Sequence, residues 1–135
     1  YLAELGELDK DIRKQVSTLM IGQRKLVTYH DNFRYYARAY GFSVPGTILG
    51  MTTAVSDPSA RHFRGLIERV EREDIRAVFA EQTLDARLAG QIAREAGLPE
   101  PPRLYTGALA RAGEASTYAG MMRWNTREIV GALKP

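Results

Sequence analysis

The chain has 135 residues, 44% of them hydrophobic and 26% charged, with no cysteine and a formal net charge of +3 at pH 7. This length suits one domain with a substantial core, and the lack of cysteine excludes disulfides and thiolate metal sites. Basic and acidic residues alternate along 61–73 as on a solvated helix face, so the weak positive charge does not indicate nucleic-acid binding.

The first predicted element is a helix over residues 2–19. Six apolar residues recur there at helical spacing, namely Leu2, Leu5, Leu8, Ile12, Val16 and Leu19. No capping residue precedes Tyr1, so we expect residues 1–19 to be the tail of a longer helix. Leu2, Leu5 and Leu8 are expected to lie beyond the core, and an exposed stripe of this kind favours self-association.

After residue 20 the chain alternates between short apolar runs and helical periodicity. Strands are predicted over 25–29, 47–51, 76–80 and 103–106, and helices over 31–40, 59–73, 84–96 and 116–132. Such alternation gives right-handed βαβ units. We therefore expect an α/β three-layer sandwich with a four-stranded, mostly parallel sheet flanked by helices.

The carboxyl ends of these strands should meet at one edge, where open α/β sheets bind ligands. The residues predicted at this edge are His30, Thr52, Thr53, Glu81, Thr106 and Gly107. A histidine, a carboxylate and hydroxyls around one crevice suit zinc or manganese. The signal is weak by itself, because tetrahedral zinc takes about four ligands.

The same residues also fit purely structural roles. His30 can be a hydrogen-bonded histidine at a strand end, with Asp31 capping the next helix. Glu81 can support a metal ligand or bind weakly itself, and equally it can cap a helix or pair with Arg87. His62 lies in a strongly charged segment and is predicted to be surface-exposed and unrelated to the site.

Aromatic and methionine side chains are predicted to pack in the core rather than form a site. Phe33, Tyr36 and Tyr40 share one helix face through spacings of three and four. Met121, Met122 and Trp124 belong to the last predicted helix.

One segment carries a family resemblance. Residues 26–42 read LVTYHDNFRYYARAYGF, similar to the pattern LVT-x-HDAFGYFARAYG of the zinc- and manganese-binding proteins that feed metal-ion ABC importers. The similarity continues in family order through 57–59, 77–81 and 117–118, and then through Met121, Met122 and Asn125. The chain thus resembles the carboxyl-terminal lobe of that solute-binding protein family.

The resemblance implies an architecture and a set of partners. In that family one long helix joins two lobes, and the metal lies in the cleft between them. Residues 1–19 would be the tail of the interlobe helix, and 20–135 the carboxyl-terminal lobe, with the amino-terminal lobe absent from this chain. The expected protein is not an enzyme. It is extracytoplasmic, either periplasmic or lipid-anchored, and its partners are an ABC permease and its own amino-terminal lobe, not nucleic acid.

The resemblance also implies site residues. His30 occupies the family's histidine-ligand position, Asp31 is a helix cap or supports the imidazole, and Glu81 falls in a family motif without thereby becoming a direct ligand. The family's last strand ends in patterns such as LYxDAL, whose aspartate binds the metal, whereas this chain has Gly107 there. Zinc or manganese should therefore bind this lobe weakly or not at all.

Three hypotheses follow. The chain is a metal-binding lobe that works with its partner lobe, or a degenerate lobe that lost metal binding and acts as a protein-interaction module. The third, a flavodoxin-like enzyme or regulator, is disfavoured because residues 28–30 supply neither an acidic cluster nor a phosphate loop.

Overall fold

The computed structural model describes residues 1–49, 60–82, 86–106 and 108–135. The helices are α1 (Leu2–Val16), α2 (Arg34–Tyr40), α3 (Ala60–Arg72), α4 (Arg87–Glu95) and α5 (Tyr118–Leu133). The strands are β1 (Lys25–Thr28), β2 (Ser43–Thr47), β3 (Ala80–Glu81) and β4 (Arg103–Leu104), and short 3₁₀ turns occur at Ile21–Gln23 and Glu114–Ser116. The predicted α/β class is confirmed.

The strands form two parallel pairs, β1 with β2 and β3 with β4. A backbone hydrogen bond of 2.9 Å from Phe79 N to Val27 O joins the pairs, and we call this junction the seam. The strands are shorter than predicted. The exception is β2, which begins at Ser43, four residues before its predicted start, and includes Pro45. A register shift between Lys25 and Val27 accommodates the proline, which has no N–H to donate.

Helices cover both faces of the strands. Leu26 and Phe79 belong to one hydrophobic cluster with α1, α2 and α5, whereas Val27 and Val78 belong to a second cluster with α3 and α4. Successive strand residues point to opposite faces, so the alternation of these neighbours between clusters produces the three predicted layers. None of the helices in the described ranges combines the length and apolar character needed to cross a bilayer.

Helix α1 packs more closely on the chain's own core than its sequence suggested. Leu8 is buried and Leu5 packs against the first cluster, whereas Leu2 is 84% exposed. The expectation that Leu5 and Leu8 lie beyond the core is therefore wrong. Polar contacts also hold the helix, because Tyr40 Oη donates to Asp9 at 3.0 Å and Arg123 pairs with Asp11 at 2.9 Å.

Candidate functional site

His30 lies in the loop that follows β1. Thr28, the last residue of the strand, donates its hydroxyl to the His30 carbonyl at 2.7 Å, which fixes the backbone of the loop. The Tyr29 ring packs edge-on against the imidazole, with centroids 5.1 Å apart and planes at 69°. The loop therefore presents the imidazole in a defined orientation, with the side chain 41% exposed.

The structure brings His30 and Glu81 together although they are 51 positions apart in sequence. His30 Nδ1 lies 3.1 Å from Glu81 Oε2, and Asn32 Nδ2 donates to Glu81 Oε1 at 2.8 Å. An ionised carboxylate only accepts, so the imidazole donates through Nδ1. Both carboxylate oxygens thus have partners. We call these three residues the carboxylate cluster.

The seam explains why these residues meet. Val27 and Phe79 are joined by their backbones across it, and they precede His30 and Glu81 by three and two residues. His30 follows β1 and Glu81 is the last residue of β3, so the bond across the seam brings the ends of these two strands together. The Glu81 side chain is only 4% exposed, and a buried carboxylate is costly unless donors satisfy it. His30 and Asn32 are those donors.

The cluster has suitable chemistry for a borderline divalent cation. Two ligands bound to one tetrahedral zinc at roughly 2.0–2.2 Å lie about 3.3–3.6 Å apart, slightly more than the observed nitrogen–oxygen separation of 3.1 Å. An ion placed between them would replace the proton that they share. Within the described ranges, however, no group of three or more histidine, cysteine, aspartate or glutamate side chains could hold a metal ion. The cluster is therefore a partial donor set.

Asp31 does not have its predicted role as a helix cap. Helix α2 begins at Arg34 with Phe33 as its N-cap, and Phe33 makes no side-chain capping bond. The Asp31 carboxylate instead pairs with Arg34 Nε. The capping prediction is wrong because the helix starts later than its apolar periodicity suggested, and because arginine competes for the carboxylate. The interpretation of Glu81 as a helix cap also loses support, since the N-cap of α4 is Ala86.

His62 is not surface-exposed as predicted. It is half-buried on α3, and its Nε2 donates to the Thr47 carbonyl at 2.9 Å. The prediction is wrong because α3 packs along β2, so that the charged face of the helix does not include this residue. Its imidazole contributes to the attachment of α3 to the strand.

A cavity of about 320 Å³ adjoins the carboxylate cluster through Asn32. Thr106, predicted at the strand edge, lines it, and so do Met121 and Met122, which are half-buried; Met122 also packs against the first cluster, as predicted. The packing prediction for Phe33 and Tyr36 is confirmed, since both are buried. Thr52, Thr53 and Gly107 lie outside the described residues.

Sequence reasoning assigned no role to two asparagines. Asn32 binds Glu81, and Asn125 pairs with the backbone of Tyr105 through bonds of 2.8 and 2.9 Å, so that its amide continues β4. The sequence contained only weak signals of these two roles. Asn32 stands where the family pattern has alanine, and Asn125 is a polar residue buried in a largely apolar helix face.

Sequence comparisons with known proteins all identify the same protein family. A family model described as zinc-uptake complex component A, periplasmic (ZnuA), matches residues 1–132. The manganese-binding lipoprotein MntA of Bacillus subtilis is 34% identical over 140 residues, which cover 99% of this chain and 45% of MntA. The metal ABC transporter substrate-binding lipoprotein SloC of Streptococcus mutans is 24% identical over 98% of this chain and 43% of its own length.

Solved structures agree with the sequence comparisons. The periplasmic zinc-binding protein TroA from Treponema pallidum superimposes with a TM-score of 0.84 at 30% identity, over 98% of this chain and 50% of TroA. The chain thus spans about half the length of the relatives that it matches.

Proposed function

This chain belongs to the family of the periplasmic zinc-uptake complex component A, and from this premise we propose that it is one lobe of an extracytoplasmic metal-binding protein. The protein would deliver zinc or manganese to an ABC permease and would not be an enzyme. Residues 1–19 would be the tail of the helix that joins two lobes, and residues 20–135 the carboxyl-terminal lobe. The coverage of about half of each relative supports this division.

The pairing of His30 with Glu81 is the observation that carries the proposal. An exposed imidazole beside a buried carboxylate provides one neutral and one anionic donor for the same ion. In the proposed complex, His30 binds the cargo metal, and Glu81 supports the imidazole or binds as a weak second ligand, offsetting part of the ion's charge in either role. Asp31 pairs with Arg34 and stiffens the loop between them, without touching the ion.

The remaining ligands are expected to come from an amino-terminal lobe and from water. With two donors the isolated chain should bind zinc weakly, since a tetrahedral site takes about four. Closure of a second lobe over the cluster would add ligands and exclude water, which strengthens every electrostatic contact with the ion. The ion is cargo in this scheme, so moderate affinity in each lobe suits its release to a permease.

Glu81→Gln tests this assignment directly. Glutamine keeps the shape and one carbonyl acceptor but removes the charge. Zinc affinity, measured by titration calorimetry on the whole chain, should fall by about 10–100-fold, the range seen even for residues that only support a metal ligand. Tyr35→Ala serves as the control, because Tyr35 is exposed on the adjacent helix and lines the same cavity. Equal affinities for the wild type and Glu81→Gln would refute the assignment.

Gly107 favours a second candidate function. The family pattern has a metal-binding aspartate at this position, and glycine offers no side-chain ligand. A lobe that lost metal binding would act as a protein-interaction module. A chain that is folded by circular dichroism and yet binds neither zinc nor manganese, even when joined to an amino-terminal lobe, would favour this second candidate over the first.

A further inference from the structure

Both oxygens of Glu81 are already occupied by side-chain donors. Oε2 accepts from His30 Nδ1 at 3.1 Å, and Oε1 accepts from Asn32 Nδ2 at 2.8 Å. The Glu81 side chain is 4% exposed, whereas that of His30 is 41% exposed. No described residue is bonded to the other ring nitrogen of His30, Nε2. An ion that arrives from solvent therefore finds a free nitrogen on the imidazole and no free oxygen on the carboxylate.

We infer that Asn32 is a positioning residue for the metal-binding imidazole. It holds Glu81 in the orientation that keeps the hydrogen of His30 on Nδ1 and leaves Nε2 for the ion. This role rests on the proposed function, in which Glu81 either supports the imidazole or binds as a weak second ligand, and Asn32 favours the first. Asn32 acts through Glu81 and does not touch the ion.

The need for a second donor follows from the shape of a carboxylate. Its two oxygens are equivalent, and the terminal torsion of a glutamate has a broad range. With His30 as its only donor, Glu81 could turn and direct an oxygen towards an approaching cation. The amide of Asn32 opposes this rotation, because the turn would break its 2.8 Å bond and leave a buried oxygen without a donor, which is costly.

Asn32 also lies between the carboxylate and solvent. Asn32 is exposed and lines the cavity of about 320 Å³ beside the cluster, whereas its partner Glu81 is buried. The amide therefore takes the position at Oε1 that water from the cavity would otherwise occupy. A water molecule can donate from several directions, whereas a side chain attached to the loop donates from one.

An amide suits this role because it is neutral. It orients Glu81 without cancelling the negative charge that makes the imidazole a better ligand. The cation nearest to Asn32 in sequence, Arg34, does not neutralise Glu81 either, because its Nε pairs with Asp31. That ion pair also fixes the loop on both sides of Asn32.

The test measures the tautomer of His30 and the zinc affinity of the whole chain. Long-range ¹H–¹⁵N spectra of the neutral imidazole show which ring nitrogen carries the hydrogen, and ¹¹³Cd²⁺ shows by its coupling which nitrogen binds the ion. In the wild type we expect hydrogen on Nδ1 and cadmium on Nε2. Asn32→Leu keeps a similar shape without the donor, so it should give a mixture of tautomers and a loss of zinc affinity of about tenfold.

Two further variants separate positioning from a general effect on the loop. Asn32→Ala opens the position at Oε1 to water, so its losses should be smaller than those of Asn32→Leu, and it carries the test if the leucine variant does not fold. Arg34→Ala loosens the same loop but leaves the amide, and should keep the wild-type tautomer.

The outcomes distinguish this role from the proposed function. An affinity loss in Asn32→Leu with an unchanged tautomer would mean that Asn32 is only structural. Cadmium coupled to Nδ1 in the wild type would mean that the ion displaces the bond to Glu81. Either result overturns the positioning role and leaves His30 as a ligand. A folded wild type that binds no ion, even when joined to an amino-terminal lobe, would refute the proposed function as well.

Discussion

The two histidines of the chain lie near the ends of paired strands but make different contacts. His30 follows β1 and donates a hydrogen bond to a buried carboxylate, whereas His62 reaches from α3 to the carbonyl of Thr47, the last residue of β2. Thr28 and Thr47 are in register, so both imidazoles belong to the same end of this strand pair. Position at a strand end is therefore insufficient to identify a ligand. The charge of the partner distinguishes a metal-binding candidate from a structural histidine.

The largest expected effect is a difference in zinc affinity between the His30→Ala and His62→Ala variants. His30→Ala removes one of two proposed donors, so affinity should fall by at least the roughly 10–100-fold that supporting residues produce. His62→Ala should leave it nearly unchanged, since the Nε2 of that ring is already bonded to a carbonyl. Titration calorimetry on both variants measures the difference, and equal losses of zinc affinity would refute the assignment of His30 as a ligand.

A carboxylate at position 107 should raise the zinc affinity that depends on His30 and so increase the difference between the two histidines. Gly107→Asp places the family's ligand type back in the motif, and we expect a gain of several-fold, on the order of one metal-ligand interaction in a partly hydrated site. The same substitution combined with His30→Ala should yield a smaller gain if the two residues bind one ion. An aspartate variant with wild-type zinc affinity would instead support the degenerate-lobe interpretation.

The histidines should also differ in what they contribute to stability without metal. His30→Ala deprives the buried Glu81 of a donor, and the free energy of unfolding should fall by about 1–3 kcal/mol. His62→Ala loses a neutral hydrogen bond and should cost about 1 kcal/mol. Urea denaturation in the presence of a chelator measures both. A larger loss in His62→Ala than in His30→Ala would contradict the view that the buried carboxylate depends on its imidazole.

Removal of metal from the wild-type chain should have almost no effect on folding. The core consists of two apolar clusters, and no cysteine is present to form a cage whose folding requires zinc. Thermal melting before and after chelation should give the same transition temperature. A drop of many degrees would mean that the ion is part of the fold.

The smallest effect concerns self-association through residues 1–19. Tyr1 and Leu2 are the exposed apolar residues of α1 and its N-cap, because Leu5 and Leu8 pack on the core. We expect weak association at high concentration that Leu2→Ser reduces, measured by sedimentation velocity. A wild-type chain that stays monomeric throughout would end the self-association hypothesis.

Local sequence patterns were sufficient to predict the fold class and the positions of the helices. The alternation of apolar runs with helical periodicity indicated the α/β class, and all five helices of the described residues begin within three residues of their predicted positions. The start of β2 was missed because Pro45 has the signature of a turn, and only pairing with β1 through a register shift keeps it in a strand.

The candidate site depends on contacts between distant residues, which no local pattern contains. The sequence indicated that His30 and Glu81 share an edge, but their bond spans 51 positions and required the structure. Asn32 escaped notice because nothing in its own neighbourhood indicates a partner on another strand. Asp31 was misassigned for a related reason, since Arg34 competes with the helix terminus for its carboxylate.

The seam between the two strand pairs has a consequence for hydrogen exchange. His30 lies on the β1 side and Glu81 on the β3 side, so an ion bound to the His30–Glu81 pair would cross-link two halves that meet at the Phe79–Val27 bond. Local openings at such a junction expose amides without global unfolding. Occupancy by zinc should therefore slow exchange of the Phe79 amide relative to amides of α3. Binding of the cargo ion would then be detectable in the lobe itself, without a permease, as a change in the cooperativity of its local opening.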